Sequence, residues 1–238
     1  LTKYGRLFLE HANRILTDVQ LAEKQMKKLS GSSGHVAIAF VFPLAAKYIP
    51  HTVRKFLAKS ANEKISFNFH QTYTGEMVSG LKSERYDVIF GSYVENEPGI
   101  QFVPILKQEM IIITPLGHPL TKKKDPGLKD LEKYPVMGYD RTSGLGQFTN
   151  RTYASYALSP TVICESPDEN AIASLVAENF GIALVADVDS LDHFPLEKIH
   201  LTDVSLSHTV YMGYLKDHYQ IPAVKNFISF IKKEGSHV

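Results

Sequence analysis

Cysteine, tryptophan and long apolar runs are scarce or absent in this 238-residue sequence, which has one cysteine and no tryptophan. A single cysteine, Cys164, excludes a disulfide within the chain and a zinc site built from several cysteines. This usage favours a reducing compartment, most simply the cytoplasm. No apolar run approaches the roughly 18 to 20 residues that span a bilayer, and the first residues lack the pattern of a signal peptide. We therefore expect neither membrane anchoring nor secretion.

An excess of charge of either sign is also missing, because 26 Lys and Arg residues balance 25 Asp and Glu residues. The formal charge of +1 gives no evidence for a nucleic-acid surface over the whole chain. Any such role must be local or belong to residues outside this sequence. Hydrophobic residues make up 44% and charged residues 21%, which indicates a folded globular chain rather than a disordered one.

Known catalytic and metal-binding motifs are absent as well. Residues 144–146 carry only two glycines of a dinucleotide-binding fingerprint, and residues 142–144 do not form the nucleophile turn of hydrolases. None of the ten histidines has the spacing of a zinc motif. Residues 161–165 are predicted to form a buried strand, in which Cys164 packs rather than reacts. We expect no enzyme activity, no cofactor and no metal, although catalytic groups dispersed along the chain stay open as an alternative.

The first thirty residues have an uninterrupted helical pattern without proline. Apolar residues recur at alternating spacings of four and three, which is the seam of a coiled coil. A stripe this narrow needs a partner, and we favour a second copy of the chain over the chain's own globular body. The Ser and Gly residues of 30–34 then predict a flexible connector. The seam comprises Leu1, Gly5, Phe8, Ala12, Ile15, Val19, Ala22, Met26 and Leu29, and its predicted dimerisation residues are Phe8, Ile15, Val19, Met26 and Leu29.

Beyond residue 34, short apolar strands alternate with amphipathic helices, which predicts an α/β fold with parallel strands. Pro104 breaks the predicted fourth strand, and Ser166 is the predicted N-cap of the helix that ends at Glu178. The chain length suits two similar lobes of about 100 residues each, with a ligand cleft between them. Strands are predicted at 35–41, 65–69, 86–90, 102–114, 135–139, 161–165, 181–186 and 211–215, and helices at 43–57, 74–82, 143–157, 167–178 and from 222 onwards.

Polar residues gather where predicted strands end and helices begin. Hydroxyl groups and one arginine at helix N-termini suit a small anion, most simply a carboxylate, because unpaired N–H groups and partial positive charge lie there. Thr74 and Ser143 are also ordinary N-cap residues, and for either one alone capping is the better interpretation. Their recurrence in both lobes favours a ligand site. The predicted ligand-binding residues are Phe42, Pro43, Thr72, Tyr73, Thr74, Arg141, Thr142 and Ser143, with the charge supplied by Arg141.

The order of these motifs resembles LysR-type transcriptional regulators, from the linker helix to the C-terminus. Residues 1–5 are similar to the end of the family's winged helix-turn-helix, and residues 35–39 to the start of its effector domain. Asn179 and Ala186 stand where the family often has Gly and Pro. Further similar segments are 31–34, 86–89, the GHPL at 117–120, 178–185 and 221–227.

The resemblance implies a regulator whose N-terminal DNA-binding module is missing from this sequence. Residues 1–30 would be the linker and dimerisation helix. Residues 35–111 and 218–238 would form the first lobe, and residues 112–217 the second lobe, of an effector domain with two Rossmann-like lobes of periplasmic-binding-protein type. In the family, the loops that carry the predicted ligand-binding residues line the effector cleft.

The implied partners are a small-molecule effector, other copies of the chain in a homodimer or homotetramer, and operator DNA bound through the missing winged helix-turn-helix. Effector binding would shift the relative positions of the lobes and subunits. This shift would change how the DNA-binding modules are placed on the operator. The main alternative is the solute-binding protein of a transporter, which has the same two lobes. An enzyme on this fold is the second alternative.

Overall fold

A computed structural model describes residues 1–30 and 34–234, with the side chains of residues 23 and 25–30 left undescribed. The described part has six α-helices and nine strands. The helices are α1 (Lys3–Ser30), α2 (Tyr48–Leu57), α3 (Thr74–Lys82), α4 (Gly144–Ser155), α5 (Glu169–Ala177) and α6 (Pro222–Glu234). The strands are β1 (His35–Phe40), β2 (Ser66–Gln71), β3 (Val88–Gly91), β4 (Ile100–Pro115), β5 (Val136–Tyr139), β6 (Val162–Ser166), β7 (Ala183–Ala186), β8 (Leu196–Ile199) and β9 (Ser207–Leu215).

Strands β1, β2 and β3 form the parallel sheet of the first lobe. β1 pairs with both β2 and β3, and helices α2 and α3 make the two connections. β1 is buried along nearly its whole length because it is the middle strand of this set. α3 begins at Thr74 and ends at Lys82, which confirms the bounds predicted for it. The α/β fold predicted from the sequence is therefore confirmed.

Two long strands, β4 and β9, carry the chain between the lobes. β4 pairs with β9 over residues 100–109 and with β7 and β8 over residues 110–115. The sheet order is β2-β1-β3-β9-β4-β7, with β8 paired to β4. The predicted break at Pro104 is wrong, because the strand continues through a register shift between Pro104 and Leu106. Such a bulge tolerates a residue that lacks a backbone N–H.

β9 is longer than predicted and reaches the first lobe. Its residues 211–213 pair with β3 in antiparallel register. The sequence-based division of the chain assigns these residues to the second lobe, within 112–217. The pairing shows that β4 and β9 run side by side from one lobe to the other. The division into residues 35–111 with 218–238 and residues 112–217 stays a prediction.

Strands β5 and β6 pair in parallel and lie beside β7 in the second lobe. Met137 N donates to Ile182 O at 2.9 Å, which ties β5 to the segment just before β7. Residues 111–113 of β4 are fully buried in the core of this lobe. β8 is absent from the sequence-based prediction, because four residues of alternating polarity give only a weak signal.

Three local predictions differ from the structure. Cys164 is exposed rather than buried, because β6 pairs with β5 alone among the described strands and lies at a sheet edge. Helix α5 is capped by the side chain of Asp168 and not by Ser166. The helix predicted from residue 43 begins at Tyr48 instead, after a short 3-10 turn at Phe42–Leu44.

Helix α1 precedes the lobes, and several of its apolar side chains are exposed. The exposed fraction is 75% for Phe8, 62% for Ile15 and 50% for Val19, so this face is open to a partner. Met26 and Leu29 lie within the helix, but their side chains are outside the described part of the chain. None of the described helices combines the length and the apolar composition needed to cross a membrane.

Candidate functional site

A cleft between the lobes holds two adjoining cavities. The inner cavity measures about 20 Å³ and the outer cavity about 500 Å³. Both are lined by Thr74, Ser92, Gly144 and His208, which therefore mark the passage between the cavities. The inner lining also includes Phe42, Pro43, Thr72, Tyr73, Gln108 and Ser143, and the outer lining includes Tyr93, Glu95, Gln147, Phe148, Arg151 and Tyr211.

Most of the ligand-binding residues predicted from the sequence come together in the inner cavity. Thr142 lines the outer cavity instead. Arg141 lines neither cavity, because its Nε donates to Glu165 Oε1 at 2.7 Å and its side chain is 72% exposed. The six predicted residues that line the inner cavity are Phe42, Pro43, Thr72, Tyr73, Thr74 and Ser143.

The N-terminus of α4 brings the second lobe against the first. Gly144 is the first residue of α4, and a Cβ built at this position would lie 1.9 Å from Ser92 Oγ. Glycine is therefore required for α4 to approach the first lobe this closely. The helix N-terminus also places unpaired backbone N–H groups and partial positive charge at the passage between the cavities.

Thr74 and Ser143 occupy different positions at their helix starts. Ser143 is the N-cap of α4, where its Oγ accepts from Gly146 N at 2.9 Å and donates to Asp140 O at 2.7 Å. Thr74 is the first residue inside α3, after Tyr73 at the N-cap, and its Oγ1 is buried without a hydrogen-bond partner among the described residues. The capping interpretation holds for Ser143 and fails for Thr74.

Two further predicted hydroxyl groups, those of Thr72 and Thr142, are bonded to carboxylates. Thr72 Oγ1 donates to Glu76 of α3. Thr142 Oγ1 donates to Asp140 Oδ1 at 2.5 Å, and the backbone N–H of Thr142 donates to the same oxygen at 2.8 Å. These hydrogen bonds lower the pKa of Asp140. Among the described residues, Thr74 is therefore the predicted site residue whose hydroxyl group is buried without a hydrogen-bond partner.

His208 is a site residue that the sequence analysis missed. It lies on β9 opposite Gln108 of β4, with its Nε2 3.0 Å from Ser92 Oγ. Its Nδ1 is buried and has no partner within the described ranges. Burial, with a smaller contribution from Arg151, lowers the pKa of His208 to about 4, so the imidazole is neutral near pH 7. No local motif indicates this residue, because the pairing of β4 with β9 brings it to the cleft.

Arg151 is a second missed residue, and a pattern in the sequence does indicate it. Gly144, Gln147, Phe148 and Arg151 are spaced as i, i+3, i+4 and i+7, so they share one face of α4. All four line the outer cavity. The guanidinium of Arg151 has no hydrogen bond or ion pair with the part of the chain that the structure describes.

Ser92 and His208 also resemble the first two members of a nucleophile and base arrangement. The third member is missing, since no carboxylate contacts Nδ1 of His208 among residues 1–30 and 34–234. A pKa of about 4 also makes this histidine a weak base at neutral pH. Within the same residues, no group of three His, Cys, Asp or Glu side chains is placed to hold a metal ion. The described residues therefore do not form a complete nucleophile and base arrangement at Ser92.

A family model of the LysR substrate binding domain matches residues 29–236. The chain belongs to this family. The malolactic fermentation system transcriptional activator of Lactococcus lactis is 28% identical to this chain over 241 residues. The match covers 98% of this chain and 78% of the relative. The HTH-type transcriptional regulator BenM of Acinetobacter baylyi is 24% identical over 217 residues, which cover 89% of the chain and 71% of the relative.

Solved structures of LysR regulators share the fold of this LysR-family chain. The effector binding domain of QuiR in complex with shikimate has a TM-score of 0.82 and 30% identity, and the match covers 87% of this chain and 99% of that one. HinK, a LysR family regulator from Pseudomonas aeruginosa, has a TM-score of 0.74 and 20% identity, covering 100% of this chain and 82% of that one. The chain is thus a ligand-sensing regulatory domain and not the solute-binding protein of a transporter.

Proposed function

We propose that the interlobe cleft of this LysR-family chain binds a small carboxylate effector that controls a transcription regulator. The observation that carries the proposal is the pair of buried atoms Thr74 Oγ1 and His208 Nδ1, which have no partner among the described residues and belong to two residues that line both cavities. Buried polar atoms nearly always have partners, so two free ones in a cleft are complementary to a ligand. Shikimate, bound to the QuiR domain at 30% identity, is a hydroxylated carboxylic acid and supports this ligand class.

The electrostatics of the cleft favour an anion. The N-termini of α3 and α4 meet at the passage, and both carry partial positive charge. Arg151 adds a full positive charge that no ion pair with the described residues neutralises. The nearby acidic residues are Glu76, which binds Thr72, Asp140, which binds Thr142, and Glu95 in the outer lining. A contribution from Arg141 stays a prediction, since its guanidinium is bound to Glu165.

The layout of the chain suggests how binding would act. Both lobes line the cleft, so a bound effector stabilises one relative position of the lobes. The exposed seam of α1 would join copies of the chain into a homodimer or homotetramer. The change in the relative position of the lobes would be transmitted to operator DNA through a winged helix-turn-helix outside this sequence. The regulator would act in the cytoplasm, and this domain would catalyse no reaction.

Calorimetry with shikimate, 3-hydroxybenzoate, benzoate and 3-hydroxybenzamide tests the proposal. We expect at least one of the acids to bind the chain and the uncharged amide to bind more weakly. Gly144→Ala should weaken acid binding by at least tenfold, roughly 1.4 kcal/mol, because the added methyl group meets Ser92 Oγ at the passage between the cavities.

The matched control is Gly99→Ala, because a Cβ at Gly99 meets nothing within 4 Å. That variant should bind the acids as the wild type does, and both variants should retain a cooperative melting transition. Acid binding that is unchanged in Gly144→Ala would place the site elsewhere. Equal affinity for the acid and the amide would contradict an anionic effector.

A further inference from the structure

We infer that the effector is a cyclic hydroxy acid bound in one orientation. Its carboxylate contacts Arg151 in the outer cavity, and one hydroxyl group enters the inner cavity between Thr74 and His208. The inference rests on the proposed function and adds to it the chemical class and the orientation of the ligand.

The sizes of the two cavities determine the orientation. The inner cavity, at about 20 Å³, holds one group the size of a water molecule, for which roughly 10–15 Å³ is needed. A carboxylate has three heavy atoms and does not fit there. The outer cavity, at about 500 Å³, is in the ordinary range for a whole small ligand. The body of the ligand and its carboxylate therefore lie outside, and a single small substituent reaches inside.

The two unpartnered atoms, Thr74 Oγ1 and His208 Nδ1, favour a hydroxyl group as the substituent that enters the inner cavity. A hydroxyl group both donates and accepts, so it can bind Thr74 Oγ1 and His208 Nδ1 together, whichever tautomer His208 adopts against Ser92. An ammonium group only donates, and none of the described residues lining the inner cavity has a carboxylate to neutralise it. The partial positive charge of the two helix N-termini also disfavours a cation.

The outer cavity supplies the partners for a ring and for a negative charge. Tyr93, Phe148 and Tyr211 give it aromatic walls, and the rings of Tyr93 and Tyr211 lie 5.5 Å apart at their centroids. Flat or cyclic ligands pack well against such faces. Arg151 is the cation of this lining and can donate two parallel hydrogen bonds to a carboxylate. Glu95 is its acidic residue and would repel the same group.

Binding of three probes to the whole chain at pH 7.5 tests the inference: 3-hydroxybenzoate, benzoate and 3-hydroxybenzamide. Arg151→Gln should weaken 3-hydroxybenzoate by roughly 10- to 100-fold and leave the amide unchanged. Thr74→Val should remove the preference for 3-hydroxybenzoate over benzoate, which we expect to be roughly three- to tenfold in the wild type. Glu95→Gln should strengthen the binding of both acids, because it removes a like charge.

The control variant is Arg54→Gln, which removes an exposed arginine of α2 outside both cavities and should leave all affinities unchanged. Acid binding that is lost in Gly144→Ala but kept in Arg151→Gln would overturn this inference while the proposed function stands. Equal wild-type affinities for benzoate and 3-hydroxybenzoate would overturn the hydroxyl assignment. Weaker acid binding in Glu95→Gln would contradict the placement of the carboxylate in the outer cavity, because removal of a like charge there should strengthen binding. If none of the acids binds, the inference and the proposed function both fail.

Discussion

Thr74 shows how far a residue's role depends on a helix boundary. The sequence places Thr74 and Ser143 at equivalent junctions, and either one suits an N-cap. In the structure, Ser143 is the cap and uses its hydroxyl group, whereas Thr74 lies one position further in and keeps its hydroxyl group free. Local sequence patterns therefore indicate the set of residues around the cleft, but the buried, unpartnered hydroxyl group is identified only from the hydrogen bonds of the described residues.

The two arginines near the cleft, Arg141 and Arg151, show that a local motif does not reveal which charged side chain is already paired. Arg141 is next to the predicted junction and was the natural candidate, but Glu165 approaches it from β6, which pairs with β5. Arg151 lies about two turns after Gly144, the first residue of α4, and has no ion pair within the described ranges. A partner brought close by strand pairing cannot be seen in a local motif. The helical spacing of Gly144, Gln147 and Arg151 was the available signal.

Glu169 is a buried carboxyl group outside the cleft lining and carries a prediction on pH. Its Oε1 accepts from the Tyr139 hydroxyl group at 2.8 Å, which in turn accepts from Ala186 N at 3.1 Å. Burial raises the pKa of Glu169 to about 8. The folded-state pKa is thus above the unfolded value of 4.5, so the folded state binds the proton more tightly. This contribution to stability is full below pH 4.5 and is lost as the pH rises towards 8.

Glu169→Gln should flatten this dependence, because the amide does not ionise. Urea unfolding of the wild type at pH 5, 6, 7 and 8 should show a loss of about 1.4 kcal/mol for each pH unit within that window, and the variant should lose less. Glu63→Gln, at an exposed position, is the control and should follow the wild type. Parallel slopes for the wild type and Glu169→Gln would show that the carboxyl group does not titrate in this range.

At the scale of elements, the helices and the buried parallel strands were predictable from the sequence. Helix α3 and the cap at Ser143 follow from apolar periodicity and local capping chemistry. Edge strands were harder, since the apolar residues of β6 suggest burial although Ile163 is 51% exposed. The passage of β4 through Pro104 depends on its long pairing with β9, which outweighs the local break signal.

Helix α1 is the element with the clearest unpartnered surface. Ile15 and Val19 are exposed in the single chain, as the seam predicts for a helix that packs on another copy. Leu7 and Leu16 are also exposed, so the apolar surface of α1 is wider than the predicted seam. Exposed apolar surface of this extent is typical of an interface.

Ile15→Asp with Val19→Asp should therefore dissociate the oligomer, because two charges in an apolar seam lose their hydration on association. Light scattering should give a wild-type mass of two or more chains and a monomeric mass for the variant. Arg14→Asp with Gln20→Asp, which places two aspartates at exposed positions off the seam, should keep the wild-type mass. A monomeric wild type at micromolar concentration would contradict the assignment of α1.

The whole molecule is built so that the site depends on both lobes at once. β4 and β9 run side by side between the lobes, and His208 lies on one of them. An ion pair between Lys47 and Asp189 joins the loop after β1 to the segment after β7. A ligand held by Thr74 from the first lobe and by α4 from the second therefore bears directly on the relative position of the lobes. Composition and motif order predict two lobes with a cleft between them. Which side chains line the cleft is known only from the three-dimensional structure.

The most direct test of the account is a crystal structure of the chain with 3-hydroxybenzoate. We predict ligand density between the lobes, with the carboxylate beside Arg151 and the hydroxyl group within hydrogen-bond distance of Thr74 Oγ1 and His208 Nδ1. Density bound to one lobe alone, or an empty cleft at a saturating concentration of the acid, would contradict the central claim that the cleft is an anion-binding effector site.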